Sequence, residues 1–198
     1  MQNISFGELF APARTSAKSL GQGEFLFRQG DPSSSLYTVL AGGVRLVRYT
    51  LEGNAVVMHT ARPGDSLAEA SLFSEIYHCD AEAVLPSIVA CYDKGKILAM
   101  LREHPEKSLT CIALFARQVR SLRALLEVRS IRSARDRVLH YLLLQADPVT
   151  MEMSIPAGSL KAMALKLAMA HETLYRTLAN LESEGKINRN ASIIKIHH

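Results

Sequence analysis

What this 198-residue chain lacks narrows it first. No segment approaches the ~18 uninterrupted apolar residues of a membrane-spanning helix. The opening stretch MQNISFGELFAPART has no basic region followed by an apolar run, the mark of a secretory signal. We therefore expect a cytoplasmic protein with no membrane partner. Cysteine is scarce: Cys79, Cys91 and Cys111 are odd in number and include no C-x-x-C pair, which argues against a disulfide framework, a zinc knuckle or a dithiol redox motif. Reduced thiols and no metal site are expected. Charge is not heavily biased either, at a net +4, but its distribution is uneven. Residues 1–128 carry 13 Lys/Arg against 13 Asp/Glu, whereas residues 129–198 carry 10 against 6, so the whole positive excess lies in the last third.

What is present falls into two parts with different periods. From Gly23 to about Asp93 the chain is punctuated by Gly30-Asp31-Pro32, Gly42-Gly43, Gly53-Asn54 and Pro63-Gly64-Asp65. The intervals EFLFR, LYTVLA, VRLVRY and AVVMHTA are rich in β-branched, aromatic and leucine residues, a pattern of short antiparallel strands in a roll, barrel or sandwich. Gly53-Asn54 suits a two-residue hairpin, and Pro63, lacking an N–H, should stand outside the ladder. After Lys96 the period becomes helical. Ile112, Phe115, Val119, Leu122 and Leu126 fall on one stripe, with Arg117, Arg120 and Arg123 off it. Spacing alone leaves two uses open, a seam between two copies or packing on the chain's own β-domain. A second row, Cys111, Leu114, Leu125 and Val128, widens the stripe enough to serve both.

The last third predicts a helix over Ala134–Gln145, stopped by Asp147-Pro148, then a strand-like MEMSIP, helices from about Ser159 to Leu167 and His171 to Ser183, and two short strands around Asn190-Ala191-Ser192. Three helices followed by a hairpin is the order of a winged helix-turn-helix. In SLKAMALKLAMAHETLYRTLANLESEGKI, Leu160, Met163, Leu167, Leu174, Leu178 and Leu181 have the spacing of two packed helices, and Ala164 and Ala168 permit a close crossing and a tight turn. The first turn of the second helix carries His171, Glu172, Tyr175 and Arg176, all four candidate DNA-binding residues. A carboxylate accepts from the amino group of cytosine and a guanidinium forks onto guanine, so Glu172 and Arg176, one turn apart, are candidate base readers in the major groove. Lys161, Lys166, Lys186 and Arg189 are candidate phosphate contacts. An ordinary i,i+4 ion pair between Glu172 and Arg176 is the competing structural explanation.

These segments together resemble the superfamily of bacterial regulators typified by the cyclic-AMP receptor protein and the fumarate and nitrate reduction regulator (CRP/FNR). The resemblance runs through GEFLFRQGDPSSSLYTVLAGGVRLVR, RPGDSLAEASLF, RSARDRVLHYLL and HETLYRTLANLESEGKI, nearly the whole chain. It implies an α+β fold: a sensor β-roll (double-stranded β-helix) over residues 1–100, a dimerisation helix over 101–130 and a winged helix-turn-helix over 131–198. By resemblance, residues 112 to 126 form the seam of a homodimer. Glu172 and Arg176 then match the family's base readers on palindromic double-stranded DNA, and RNA polymerase is a partner. His171 and Tyr175 depart from the residues common at those positions.

The resemblance also addresses SLFSEIYHCDAEA, residues 71 to 83. In nucleotide-binding relatives a Gly-Glu-Leu cassette followed by an Arg holds the cyclic phosphate. Here the cassette reads Leu67-Ala68-Glu69-Ala70-Ser71, and Cys79 with Asp80 stands where the cation would be. Glu69, Ala70, Ser71, Cys79 and Asp80 are thus candidate pocket residues, but cyclic AMP is not the expected effector, since Asp80 repels phosphate and Cys79 brings no charge. An iron–sulfur cluster is not expected, because no cysteine precedes residue 79. The cassette and HETLYR look nearest to dissimilatory nitrate respiration regulators, some of which sense gas through haem, with His59, His78 or Cys79 as candidate ligands. The stretch before Gly23 is short for the family, which would shorten the helix that packs on the roll. Catalysis is not expected: His78, Cys79 and Asp80 are neighbours, and neighbours on a strand point to opposite faces. The alternative to a regulator is a haem, gas or small-ligand sensing module with little sequence-specific DNA binding.

Overall fold

The computed structural model describes residues 4–155 and 159–197. It divides into compact units of residues 1–115 and 116–198, where the sequence suggested three parts. In the first unit, α1 (Phe6–Leu9) precedes β1 (Arg14–Leu20), β2 (Phe25–Phe27), β3 (Ser35–Tyr49), β4 (Ala55–Ala61), β5 (Ser66–Leu67) and β6 (Asp80–Asp93). The sheet runs β1-β6-β3-β4, with β2 on β6 and β5 on β3, all antiparallel. β6 is the hub, pairing with β1, β2 and β3. Burying Val39, Val44, Leu67, Ala81, Ala83 and Val89 completely makes the core of this roll, each large aliphatic side chain contributing about 1.5–3 kcal/mol.

Two turn signals resolve differently from their sequence reading. Gly42-Gly43 lies inside β3, and the register against β6 shifts between Val39 and Ala41, Ala41 and Gly43, and Gly43 and Val44. These are bulges that bend a continuous strand at a corner of the roll. Gly42 sits at φ +85°, and a Cβ there would come within 2.3 Å of Ser87 Oγ and 2.5 Å of the Pro86 carbonyl oxygen. The buried Ser87 hydroxyl accepts from Gly43 N–H at 2.9 Å and donates to the Leu85 carbonyl at 2.7 Å, so backbone groups freed by the bend are satisfied. The second difference is at Gly53-Asn54. Thr50 and Asn54 still pair, with Thr50 N–H donating to the Asn54 carbonyl at 2.9 Å, and the loop is Leu51-Glu52-Gly53 with Gly53 at φ +80°. This is a three-residue hairpin whose glycine takes the left-handed position, in place of a two-residue turn. Pro63 lies beyond the end of β4.

After β6 the chain forms α2 (Lys94–Glu103), not separated out in the sequence reading, capped by the Asp93 carboxylate accepting Lys96 N–H at 2.7 Å. The helix α3 (Pro105–Ser130) follows. Its two apolar rows have different fates. Cys111 and Leu114 are buried with Phe6, Leu9, Phe10 and Ile97 in the first unit, and Val128 is buried in the core of the second. Ile112, Val119, Leu122 and Leu126 remain 62%, 44%, 61% and 65% exposed. Phe115 departs from this outer row, half-buried with its ring edge-on to Phe6 at 5.1 Å. The second unit continues with α4 (Ala134–Gln145), β7 (Glu152–Ser154), α5 (Ser159–Lys166), α6 (His171–Ser183), β8 (Ile187–Arg189) and β9 (Ile193–Ile196), the strands ordered β7-β9-β8. Pro156, the end of the expected MEMSIP strand, lies outside the described residues.

Gly42→Ala combines a strained φ with two backbone-adjacent overlaps. It is expected to lower stability by roughly 3 kcal/mol or more, read as a fall in urea midpoint at unchanged slope.

Candidate nucleic-acid interface and sensor pocket

In the second unit, Met163, Ala164, Leu167, Leu174, Leu178 and Leu181 are all buried, which locks α5 against α6. The turn between them is tight: Ala168 is at φ +50° and Met169 N–H donates to the Ala164 carbonyl at 3.1 Å. A larger side chain at Ala168 would be strained in that conformation. Helix α5 ends with carbonyls that have no intrahelical donor, and two arginines supply donors. Arg129 Nε donates to the Lys166 carbonyl at 2.7 Å and Arg129 Nη2 to that of Leu165 at 3.3 Å, while Arg137 Nη1 donates to the Leu167 carbonyl at 3.1 Å. Positive charge at a helix C-terminus is also favoured by the helix dipole. Arg135 reaches from the start of α4 to Glu184 after α6, with Nε 3.0 Å from Oε2. The pair holds the Glu184 carboxyl below its ordinary pKa and raises that of Arg135.

What α6 leaves outside is the candidate reading face. Successive residues turn about 100°, so with Leu174, Thr177, Leu178 and Leu181 buried, Glu172 and Arg176 project on the opposite side. Both are exposed, and among the described residues no ion pair or side-chain hydrogen bond engages either, including with each other. His171 and Tyr175 lie beside them, their rings 4.5 Å apart and inclined at 64°. Lys161, Lys166 and Lys186 are exposed. Arg189 differs from its expected role: its Nε is 2.9 Å from Glu182 Oε2 and half-buried, because β8 returns directly along the end of α6. Lys195 is likewise 3.1 Å from Glu152. Of the basic excess in the last third, Arg129, Arg135, Arg137, Arg189 and Lys195 are engaged within the domain. Nothing in their local spacing distinguishes them from the free cations.

In the first unit a cavity of about 60 Å³ is lined by Phe27, Leu46, Ala68, Glu69, Ala70, Ser71, His78 and Cys79. Ala68, at φ +67°, turns the chain into a one-turn 3-10 segment, Glu69–Ser71, which Ser33 fastens by donating to the Ser71 carbonyl at 3.0 Å. Ser71 Oγ lies 3.1 Å from His78 Nδ1. His78 and Cys79 both line the cavity, contrary to the alternation expected of strand neighbours, because β6 begins only at Asp80. Asp80 is not a lining residue: its buried carboxylate accepts Gln29 N–H at 2.7 Å and ties down the loop after β2. Phe27 and Leu46, absent from the expected pocket, line it because β2 and β3 flank the start of β6. Burial pushes the Cys79 thiol above its ordinary pKa; Arg48 opposes this and Asp80 adds to it. Arg48 Nε itself donates to the His78 carbonyl at 2.8 Å. The cavity is far below the ~300–1,000 Å³ of pockets that enclose drug-sized ligands. His59, on β4, is not among its lining residues. No group of three or more potential metal ligands occurs among the described residues, and no helix among them is long and apolar enough to cross a membrane.

Comparisons with known proteins agree with this architecture. Residues 17–104 match the cyclic nucleotide-binding domain family. The chain is 22% identical over 190 residues to the transcriptional activator protein Anr of Pseudomonas aeruginosa, covering 90% of this chain and 75% of that one. Among solved structures, FixK2 of Bradyrhizobium japonicum superposes with a TM-score of 0.68 at 20% identity, covering 92% of each chain. DNR of Pseudomonas aeruginosa superposes at 0.53 with 25% identity, over 96% of this chain and 86% of that one.

The buried thiols supply a direct check. Cys79 and Cys111, both raised in pKa by burial, should be alkylated by iodoacetamide at pH 8 at least about tenfold more slowly in native protein than in urea, read by mass spectrometry. A folded thiol that holds its proton more tightly than the unfolded one is neutral below the thiol range, so its effect on stability appears only at alkaline pH. Stability should fall as pH rises past the unfolded value of about 9.

Proposed function

We propose that the chain is a transcription regulator of the CRP/FNR superfamily, acting as a cytoplasmic homodimer that binds a palindromic DNA site in a sequence-specific way. The observation that carries the reading is the Glu172–Arg176 face: a carboxylate and a guanidinium one turn apart, exposed, and engaged by no other described residue. An ordinary surface ion pair would have consumed both groups. Left open near the N-terminal end of α6, they are placed to enter a major groove, the carboxylate to accept from cytosine and the guanidinium to fork onto guanine. Lys161, Lys166 and Lys186, exposed in the same domain, are suited to phosphates, which position the protein without reading sequence.

The outer row of α3 supports the dimer. Ile112, Val119, Leu122 and Leu126 are large apolar side chains left in water along one helix face, a pattern that association of a second α3 relieves. A twofold dimer presents two α6 helices to half-sites about one helical turn apart, and RNA polymerase is the partner through which bound protein would act. The sensor pocket does not suit cyclic AMP: its volume is small, Cys79 brings no charge, and the nearby Arg48 is committed to the His78 carbonyl. A small, uncharged effector hydrogen-bonded by Ser71 and His78 fits the space better than an anionic nucleotide.

Two variants probe the reading separately. Glu172→Ala should cut discrimination at one base pair by about tenfold, within the ~1–3 kcal/mol of a good base contact, and leave binding to random duplex unchanged. Equal loss on both DNAs counts against base reading. Leu122→Glu sets like charges against each other in the seam, so analytical ultracentrifugation should report a monomer. A dimer that persists would move the interface off α3.

A further inference from the structure

We infer that Tyr175 reads the C5-methyl group of a thymine, and that His171 is the residue that holds its ring in position; this rests on the DNA-binding reading above. His171 and Tyr175 are one turn apart on α6, and helical side chains lean toward the N-terminus, which brings the Tyr175 ring back over His171. The rings meet edge to face, 4.5 Å between centroids at 64°, the arrangement preferred by aromatic pairs. His171 is half-buried at the first position of the helix while Tyr175 is 43% exposed, so one ring is anchored and the other is presented.

The ring stands in a definite place. The column His171–Tyr175 runs beside the column Glu172–Arg176, and Leu174 and Leu178 are buried behind it. An aromatic side chain that faces water on a polar helix face exposes apolar area that a partner can cover. In a major groove the apolar feature offered by a base pair is the thymine methyl, which alone distinguishes thymine by contact and not by hydrogen bonding. Held against His171, the Tyr175 ring has little rotamer freedom left to lose on binding. Specificity on this face is then divided: Glu172 and Arg176 select hydrogen-bonding edges, and Tyr175 selects a methyl at a neighbouring position. His171 is a positioning residue that makes no base contact in this scheme.

The test uses the full chain and its own selected site. Selection from random duplexes at moderate salt defines the half-site, after which each thymine is replaced in turn by uracil, which removes the methyl and keeps every hydrogen-bonding group. One replacement should weaken binding about fourfold, the equivalent of one buried methylene. Tyr175→Ala should abolish that penalty, Tyr175→Phe should keep it because the ring and not the hydroxyl reads, and His171→Ala should reduce the ratio of thymine-site to uracil-site affinity, a ratio that a uniform loss of binding does not move. A half-site without thymine, a half-site whose thymines all tolerate uracil, or a uracil penalty that survives Tyr175→Ala overturns the assignment while leaving the regulator reading intact. Binding without any preference among duplexes overturns the regulator reading itself.

Discussion

The packing of the α5–α6 helix pair depends on how helix α5 ends. Its last carbonyls, at Leu165, Lys166 and Leu167, receive hydrogen bonds from the guanidinium groups of Arg129 and Arg137. The following backbone closes part of this end in a Schellman arrangement, Met169 N–H donating to the Ala164 carbonyl and Ala168 N–H to that of Leu165, both at 3.1 Å, and the arginines serve the Lys166 and Leu167 carbonyls that remain. Arginine suits this, since one planar group serves two carbonyls and adds positive charge where the helix dipole is negative. With α5 stopped there and Ala168 in the left-handed region, α6 starts at His171 and buries Leu174, Leu178 and Leu181. The orientation of Glu172, Tyr175 and Arg176 follows from that start, because a helix shifted by one residue would rotate all of them by about 100°.

A comparable constraint shapes the β-roll. Strands β3 and β6 are longer than a small roll accommodates flat, and both bend where Gly42-Gly43 faces Pro86-Ser87. The bend lets β6 pair with β1 along one stretch and β2 along another. Its first residue, Asp80, is pinned by Gln29 N–H, which delivers His78 and Cys79 into the cavity instead of onto alternate faces. The pocket is thus a product of where β6 begins. Cys79 brings a buried thiol to the cavity, its pKa raised by burial, and the Asp80 carboxylate acts on the loop after β2.

Much of the fold was legible in the chain. Helix α4 was bounded by its periodicity and by Asp147-Pro148, α6 by HETLYRTLANLES and the glycine beyond it, and the strands around Asn190 by an Asx turn in which Oδ1 accepts Ser192 N–H at 2.9 Å. The misreadings share a cause. Gly42-Gly43 was taken as a turn because glycine permits several conformations, and only the partner strand decides between a turn and a bulge. Arg189 was taken as a free cation because an ion pair with Glu182 depends on the path of β8. Phe115 was placed in the outer row by spacing, but its proximity to Phe6 draws it inward.

By itself, then, the amino-acid order determined which segments are strands and helices, that the last third carries a helix pair with a polar first turn, and that a long helix has two apolar rows. These are properties of periodicity and side-chain chemistry, which act over a few residues. Tertiary structure alone decided which of those rows is buried, which arginines fasten carbonyls and which remain free for a partner, and which of the residues around position 79 face the pocket. Each of those outcomes is a competition between groups distant in sequence for the same donor, acceptor or apolar surface, and only the folded chain brings the competitors together.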